Sequence, residues 1–438
     1  RMSVVVEAKD MEEFMGYCRE ENIEAVHVAD VTDTARMRMF NGDRKVVDLK
    51  REFIDSAGAK HYAEARIGAV ENRDPFAREV AGETLAERFT NNLKDNNVVS
   101  QRGLVEMFDA TIGRSTVLMP FGGRMQRSET QVSVQKLPTD GYTDTASIMA
   151  FGYNPYVASW SPYHGAAYAV VEAAAKVVAA GARYERMRYS YQEYFERMTR
   201  NPESWGKPLG ALLGALKMQV ELGLPSIGGK DSMSGTFQDI NVPPMLMAFG
   251  ITTVDASTVI STDLKGAGHR IYLVRHTPLE NRMPDTAQLK ENFAFVSGRI
   301  ESGKILSAWS VGFGGVGEGL AKMAFGNGVG AEPKLYEYAY GSILVECEGT
   351  LEYPHAELLG FTVAEEALTV NGVKMPLEEL YKANTEKFAA VYPDKGRNSA
   401  EVRPSAPVPK PFGYPGEAVG TPVVYIPVFR GANCDYDA

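Results

Sequence analysis

The sequence has few cysteines, no long apolar run and no basic tract, and each of these absences narrows the class of protein. The 438-residue chain has three cysteines, Cys18, Cys347 and Cys434, which lie far apart and are odd in number. This usage argues against a disulfide framework and CxxC metal sites, and it fits a reducing compartment. No apolar run reaches about 18 residues and no charged-then-apolar leader occurs, so we expect no membrane span, no secretory signal and a cytoplasmic location.

The charge balance is acidic, which limits the ligands that the protein can bind. The chain has 46 basic and 56 acidic residues, a formal charge of −10, and it lacks a basic tract that would follow a nucleic-acid backbone. We therefore predict no nucleic-acid partner. An anionic ligand would have to be held by local loops, helix ends, Lys or Arg side chains, or a divalent metal.

Length and composition predict several globular domains. The length corresponds to roughly three domains, and a hydrophobic content of 44% is enough for ordinary packed cores. Arg1 is not a methionine, and the apolar segment 423–429 has no later strand to pair with. We therefore expect a piece of a longer polypeptide.

Two glycine-rich segments suggest phosphate chemistry. Residues 228–234 are Gly-Gly-Lys-Asp-Ser-Met-Ser, in which a tight turn at the glycines would bring Lys230 and Ser232 toward an anion. Residues 312–319 are Gly-Phe-Gly-Gly-Val-Gly-Glu-Gly and open a helix predicted over 316–325, whose first N–H groups would point at a ligand. Neither segment has the Walker A spacing. The alternative is that these glycines only form turns and close helix–strand contacts.

A carboxylate lies in the most apolar helix predicted, an alanine-rich segment that ends at Ala180. Glu172 and Lys176 are four residues apart on one face of it. One interpretation is an ordinary ion pair on the helix surface, worth a few tenths of a kcal/mol. The other is that Glu172 points into a site and converges with Asp144 on Mg²⁺, which prefers oxygen ligands.

Three histidines, His164, His276 and His355, have no mutual spacing that suggests a metal cluster or a triad, so we expect structural roles for them.

Apolar periodicity predicts the remaining helices and strands. The predicted elements are strands at 1–7, 25–31 and 36–49, a helix at 9–22, a helical connecting segment at 50–98, a charged aromatic helix at 184–198, a helix at 208–222, and strands at 244–254 and 270–274.

Five segments, taken in order, resemble one family. They are Asp144-Thr145-Ala146-Ser147, Trp160-Ser161-Pro162-Tyr163-His164-Gly165-Ala166, Gly229-Lys230-Asp231-Ser232-Met233-Ser234, Gly314-Gly315 with Met323-Ala324-Phe325, and Gly431-Ala432-Asn433-Cys434-Asp435. The sequence resembles the large form of formylglycinamide ribonucleotide amidotransferase, or phosphoribosylformylglycinamidine synthase, over essentially its whole length. That family makes the amidine in purine biosynthesis from ATP, glutamine and formylglycinamide ribonucleotide.

The resemblance implies an α+β fold with N-terminal and C-terminal lobes of the aminoimidazole ribonucleotide synthetase type and partial flanking domains. It places the chain mostly in the second synthetase half. The implied domains are the end of the preceding C-terminal lobe (1–49), a connecting helical segment (50–104), an N-terminal-type lobe (105–256), a C-terminal-type lobe (266–391), a linker (392–422) and the first strand of a glutaminase domain (423–438).

The resemblance also implies where the family's chemistry lies. The substrate-contacting stretch, the catalytic His and the first ATP loop would precede Arg1, and Cys434 would not be the glutaminase nucleophile. We therefore expect no catalytic residue in this chain.

An ATP/ADP–Mg²⁺ site of the second half would use Asp144 and Glu172 as metal ligands. Lys176 and Ser310 stand where the family has Asn and Asp, and an ammonium group would repel a cation, so we predict that this site is weak or empty. The residues that the resemblance and the glycine-rich segments assign to nucleotide binding are Thr143, Lys176, Lys230, Asp231, Ser232, Gly312, Gly314 and Gly315.

Three functions stay open at this point. The first is a part of the amidoligase, and the second is a related ATP-dependent synthetase or kinase of the same fold. The third is a non-catalytic scaffold half with a degenerate nucleotide site, which we favour for this chain within the enzyme named first. The expected partners are small-molecule substrates, the first synthetase half and the glutaminase domain.

Overall fold

The computed structural model describes residues 3–56, 62–108, 110–111, 115–325, 328–331 and 337–393. The predicted linker and the predicted glutaminase strand, with Cys434, lie outside the described residues. The helices are α1 (Met11–Glu20), α2 (Arg51–Ser56), α3 (Leu85–Leu93), α4 (Arg102–Val105), α5 (Pro155–Trp160), α6 (Pro162–Ala179), α7 (Pro202–Leu222), α8 (Thr286–Glu301), α9 (Gly315–Ala324) and α10 (Leu377–Thr385).

The strands form two large sheets and three two-stranded ones. They are β1 (Arg36–Asn41), β2 (Arg44–Lys50), β3 (Phe121–Gly122), β4 (Ser128–Glu129), β5 (Ser133–Lys136), β6 (Thr145–Gly152), β7 (Arg188–Tyr194), β8 (Ser226–Lys230), β9 (Thr236–Phe237), β10 (Ile240–Asn241), β11 (Met245–Asp255), β12 (Arg270–Val274), β13 (Ser307–Ser310), β14 (Gly328–Ala331), β15 (Ile343–Cys347), β16 (Ala356–Val363), β17 (Ala367–Val370) and β18 (Val373–Pro376).

The chain divides into two compact units. The smaller unit comprises 1–66 and 199–205, and the larger comprises 67–198 and 206–438. Within the smaller unit, β1 and β2 form an antiparallel hairpin with α2 directly after it. The strands predicted within 36–49 are confirmed.

A five-stranded sheet forms the first core of the larger unit, in the order β5-β6-β11-β7-β8. Its neighbours are antiparallel except for β7 and β8, which are parallel. Alternate residues of β11 are buried, the pattern of a strand with one covered face. Helix α6 packs on β6 and β11 and is buried over almost its whole length.

A seven-stranded sheet forms the second core, in the order β13-β15-β12-β16-β14-β17-β18. Every residue of β13 and β15 is buried, because helices and the neighbouring sheet elements cover both faces there. Helix α9 packs against β13, β14 and β15, and α6 also contacts β13. Both α6 and α9 therefore pack against β13.

A fully buried carboxylate, Glu346, fixes the segment that joins the two sheets. It accepts hydrogen bonds from the Lys265 and Gly266 N–H groups (2.9 and 3.3 Å), from His269 Nδ1 (2.7 Å) and from Ser307 Oγ (2.7 Å). The backbone at Lys265 and Gly266 is therefore held by a side chain from β15, and these hydrogen bonds satisfy the buried carboxylate.

Several predicted elements are wrong. Residues 184–198 were predicted as a helix but contain strand β7, in which alternate residues are buried. Residues 3–7 and 25–31 form no strand, and most of 62–84 is irregular instead of helical. At 228–229 the chain is extended within β8 instead of making the expected tight turn. At 184–198 and 228–229, pairing with neighbouring strands decided the conformation over local propensity.

The described strands of 105–256 supply the five-stranded sheet, and those of 266–391 supply the seven-stranded one. Both sheets nevertheless belong to the same compact unit, and 1–66 with 199–205 form the other. The domain boundaries expected from the sequence stay a prediction.

Candidate functional site

The predicted pair Glu172 and Lys176 forms a buried ion pair on α6. Ser161 caps this helix by accepting a hydrogen bond from the His164 N–H, and Pro162 occupies its first position. Lys176 Nζ lies 2.8 Å from Glu172 Oε1, and the two residues are 9% and 6% exposed. The pair is thus neither of the two arrangements expected, since it is not on the surface and its carboxylate already has a cation.

Both members of the pair have further partners. Glu172 Oε2 accepts a hydrogen bond from the Tyr153 N–H at 3.0 Å, and Lys176 Nζ donates to the Phe151 carbonyl at 2.8 Å. Burial raises the pKa of Glu172 above its ordinary value, although Lys176 and the Tyr153 N–H oppose this shift. The carboxylate is therefore satisfied without a metal.

The glycine-rich segment before α9 lies close to Glu172 but its amides have protein partners. Gly312 is so near that a Cβ there would lie 3.7 Å from Glu172 Oε1. The Gly314 N–H donates to Glu318 Oε2 at 2.8 Å, and the Gly315 N–H donates to the Gly312 carbonyl at 3.1 Å. Gly315 has φ +67°, a conformation that favours glycine. Two of the amides at the start of this helix, those of Gly314 and Gly315, are thus engaged within the protein.

A second buried ion network, which the sequence did not reveal, follows from α9. Lys322 Nζ lies 2.9 Å from Glu318 Oε1 and 2.7 Å from Glu129 Oε2, a residue 193 positions away. Burial alone would lower the pKa of Lys322, but the two carboxylates outweigh burial and raise it above its ordinary value. The loop 312–314 touches Glu172 at Gly312 and donates to Glu318 at Gly314, so the two networks form one region, which we call the charge cluster: Glu129, Glu172, Lys176, Glu318 and Lys322.

Ser310 stands where the resemblance implies a metal ligand, but its side chain is a hydroxyl and not a carboxylate. Its backbone N–H donates to Gln131 Oε1 (2.8 Å) and its carbonyl accepts from Gln131 Nε2 (2.9 Å). Its own hydroxyl is buried without a hydrogen-bond partner in the described part of the chain. A cavity of about 10 Å³ beside Lys176 and Gln131 has room for about one water molecule.

Asp144 and Thr143 lie at the other end of β6 from Glu172. Asp144 precedes the first residue of β6, whereas Glu172 binds the N–H of Tyr153, just after its last. Eight residues of extended chain span about 26 Å. The expected convergence of Asp144 and Glu172 on one Mg²⁺ is therefore wrong, because the strand between them holds their carboxylates apart.

Asp144 instead joins an exposed polar group. Its Oδ1 lies 3.1 Å from Lys136 Nζ, and hydrogen bonds from Tyr142 and Lys136 lower its pKa. The Thr143 hydroxyl accepts a hydrogen bond from the Thr145 N–H. Across the described ranges, no group of three or more His, Cys, Asp or Glu residues has the arrangement of a metal site.

Lys230, Asp231 and Ser232 form a separate place, at the end of β8. Gly229 packs so closely on β7 that a Cβ there would lie 2.1 Å from the Tyr191 carbonyl oxygen. The Phe195 N–H donates to the Ser232 carbonyl at 2.9 Å, so the segment after β8 continues to pair with the chain after β7. In the described chain these residues share no hydrogen bond or ion pair with the charge cluster.

A buried glutamate that the sequence did not single out lies beside them. Glu193 is 8% exposed, and its Oε1 is buried with no hydrogen-bond partner among the described residues. Burial and, secondarily, the Asp231 carboxylate raise the pKa of Glu193 to about 7. The signal was available in the sequence as the alternation Tyr189, Tyr191, Glu193, but the segment was predicted as a helix.

Comparison with known proteins finds relatives that share one name. No family model matches the chain. The chain is 25% identical over 353 residues to the phosphoribosylformylglycinamidine synthase subunit PurL of Thermoplasma acidophilum, covering 75% of this chain and 44% of that protein. It is 23% identical over 437 residues to the subunit of the same name from a Nocardioides species, with 89% and 56% covered. The resemblance to phosphoribosylformylglycinamidine synthases is confirmed, and the chain spans about half the length of the curated relatives it matches.

Solved structures agree in fold. The PurL of Thermotoga maritima complexed with ATP matches with a TM-score of 0.55 at 18% identity, covering 82% of this chain and 54% of that one. The same protein complexed with FGAR gives a TM-score of 0.56 at 17% identity, with 82% and 52% covered. The predicted α+β fold is confirmed. Within the described residues, no helix has the length and hydropathy needed to span a membrane.

Proposed function

We propose that this chain is the second synthetase half of an ATP- and glutamine-dependent amidoligase that converts formylglycinamide ribonucleotide to the amidine in the cytoplasm. Within that enzyme, this half is a non-catalytic scaffold whose own nucleotide–Mg²⁺ site is degenerate. The similarity to PurL subunits supports the reaction class. The observation that carries the scaffold role is the buried ion pair of Lys176 with Glu172.

The residues at the implied metal position do not fit Mg²⁺. Glu172 has one oxygen bound by an ammonium group and the other by a backbone N–H. Mg²⁺ needs near-octahedral oxygen ligands and keeps its waters, and a cation 2.8 Å from the ligand oxygen occupies that space with the wrong charge. Ser310 offers a hydroxyl where a second carboxylate would be needed.

Large apolar side chains on the exposed face of the five-stranded sheet are evidence for a partner domain. Met149, Phe151 and Ile251, on β6 and β11, are 43%, 49% and 44% exposed although they are large and apolar. Met149 and Ile251 are cross-strand partners, so the exposed side chains are adjacent. An apolar sheet surface of this kind is typical of an interface, and the first synthetase half is the partner that we assign to it.

Calorimetry with ADP and Mg²⁺ tests the scaffold role. We expect no Mg²⁺-dependent binding by the unmodified chain, and a gain of binding in the Lys176→Asn, Ser310→Asp double variant, which restores the family's ligand types. Lys374→Asn, a change in an exposed ion pair with Glu365, is the control and should bind no more than the unmodified chain. Micromolar, Mg²⁺-dependent binding by the unmodified chain would show that the nucleotide site is functional.

An assay of the full-length protein tests the reaction. Formation of the amidine from formylglycinamide ribonucleotide should require ATP and glutamine, whereas this chain alone should release no glutamate from glutamine. ATP turnover on another acceptor, without amidine formation, would favour a related synthetase or kinase instead.

A further inference from the structure

The register of β7 and β8 places two carboxylates side by side. In this parallel pair, Gln192 lies opposite Lys230, and the next position along each chain is Glu193 and Asp231. The Phe195 N–H donates to the Ser232 carbonyl, as the same register requires. Neighbouring strands lie about 4.8 Å apart, so the two carboxylates leave the sheet as immediate neighbours.

The register also places Lys230 on the other face of the strand from this pair. Side chains alternate between the faces of a strand, so Lys230 shares the face of Gln192, whereas Asp231, which is exposed, shares the face of Glu193, which is buried. Like charges directly opposite each other destabilise a sheet. The structure therefore holds a repulsive pair that no described side chain neutralises by an ion pair.

Glu193 supplies independent evidence that a ligand is missing from this pair. The residue is more than nine-tenths buried, and Oε1 has no hydrogen-bond partner in the part of the chain that the structure describes. A buried carboxylate oxygen without a partner is expensive, and native structures seldom retain one without a ligand, water or ion. The pKa of Glu193, raised to about 7 by burial and by Asp231, reflects the same lack of a cation.

We propose that Glu193 and Asp231 bind a divalent cation of the Mg²⁺ type at the carboxyl ends of β7 and β8. Mg²⁺ is commonly held by one or two carboxylates and keeps several waters, which suits one buried and one exposed carboxylate. The carboxyl ends of parallel strands are also where ligands bind in α/β sheets. This site is distinct from the charge cluster and does not depend on the amidoligase reaction.

Mn²⁺, followed by electron paramagnetic resonance of the free ion, tests the site on the whole chain, and Mg²⁺ is then used as the competitor. We expect one Mn²⁺ per chain, displaced by Mg²⁺. Glu193→Gln and Asp231→Asn should each weaken it by at least about tenfold, the scale seen even for residues that only support a metal ligand. Asp239→Asn removes an exposed carboxylate eight positions after Asp231 and should leave binding unchanged.

The outcomes separate this site from the proposed function. Absence of Mn²⁺ binding by the folded chain, or full retention of binding in Glu193→Gln, overturns the site and leaves the amidoligase proposal intact. Loss of binding in Glu172→Gln but not in Glu193→Gln would place the ion in the charge cluster, which overturns both the site and the metal-free reading of that cluster. Circular dichroism of each variant shows that the fold is retained, and Asp231→Asn, at an exposed position, keeps the test valid if Glu193→Gln does not fold.

Discussion

Buried carboxylates have a lysine partner in the charge cluster, whereas in the Glu193–Asp231 pair the buried carboxylate has another carboxylate beside it. In the charge cluster, Glu172 and Glu318 each face a lysine within 3 Å and a backbone N–H. Glu193 faces another carboxylate and has an oxygen without a partner. Glu129 Oε1 in the cluster also lacks a hydrogen-bond partner among the described residues, but Glu129 Oε2 lies 2.7 Å from Lys322 Nζ. The difference is therefore that each carboxylate of the cluster has a cation from the protein, whereas Glu193 has none within the described chain.

The position of each group in the fold explains this difference. Apart from Glu129, which lies on β4, the cluster lies on α6 and α9, whose residues are almost all buried, so an unpaired charge there would be very costly. The Glu193–Asp231 pair lies at the end of two strands, where one carboxylate is exposed and water can enter. A buried carboxylate of the cluster therefore needs a cation from the protein itself. The carboxylates at the end of β7 and β8 can instead stay charged and bind a ligand.

The largest expected effect comes from removing the cation that two carboxylates share. Lys322→Met should lower the free energy of unfolding by about 4–5 kcal/mol, the upper part of the range for breaking a buried ion pair, because Glu129 and Glu318 both lose their partner. Urea denaturation measures this change. Lys374→Met, in the exposed pair with Glu365, is the matched control and should cost less than about 1 kcal/mol. Equal losses for the two variants would mean that the buried network is not satisfied as described.

The second effect tests the Glu172–Lys176 pair itself. Lys176→Met should lower the free energy of unfolding by about 3–4 kcal/mol, since Glu172 is left buried with a single N–H partner. The double variant Glu172→Gln, Lys176→Met removes both charges and should recover most of that loss in the same urea experiment. A double variant less stable than Lys176→Met would contradict the assignment of the pair as the cause.

These two networks also show what the sequence could and could not predict. The i, i+4 spacing of Glu172 and Lys176 showed that they could pair, because a helix fixes that distance locally, but it did not predict that the pair is buried. The contact of Lys322 with Glu129 joins residues 193 positions apart, and no local pattern specifies it. The supposed partnership of Glu172 with Asp144 failed because it depended on which end of a strand each residue occupies.

The fold was predictable where helical periodicity or characteristic segments were strong. The alanine-rich helix and the helix after the glycine-rich segment are α6 and α9. The segment 184–198 was not, because its charged and aromatic residues fit a helix pattern while every second residue is buried in β7. That one wrong assignment hid Glu193, whose partner Asp231 was already among the predicted site residues.

Lowering the pH tests how much stability depends on His276, which is buried as a neutral imidazole. Its Nδ1 lies 2.8 Å from the Tyr340 carbonyl, Nε2 accepts from the Asp285 N–H, and burial lowers its pKa to about 4. The unfolded chain binds the proton at its ordinary pKa of about 6.5, so it gains protons first as the pH falls from about 6.5 to 4. Over that window the folded state should lose up to about 3 kcal/mol. In urea titrations at several pH values, His276→Asn should show a smaller acid loss than the unmodified chain; an identical loss would assign the acid sensitivity to other groups.

The smallest expected effect is a gain in the free energy of unfolding, and it comes from the Glu193–Asp231 pair at the end of β7 and β8. In the presence of a chelator at pH 8, Glu193→Gln should raise the free energy of unfolding by about 1 kcal/mol, because it removes repulsion from Asp231 and a buried charge without a cation. Glu196→Gln is the matched control three residues along the chain. Glu196 has a cation, since Lys207 Nζ lies 2.7 Å from its Oε2, so this variant should lose stability by less than about 1 kcal/mol. Added Mg²⁺ should stabilise the unmodified chain and the Glu196 variant but not the Glu193 variant, because only the latter lacks a ligand of the proposed ion. A loss of stability in Glu193→Gln under chelation would show that this carboxylate is satisfied within the protein, and the contrast between the two regions would then disappear.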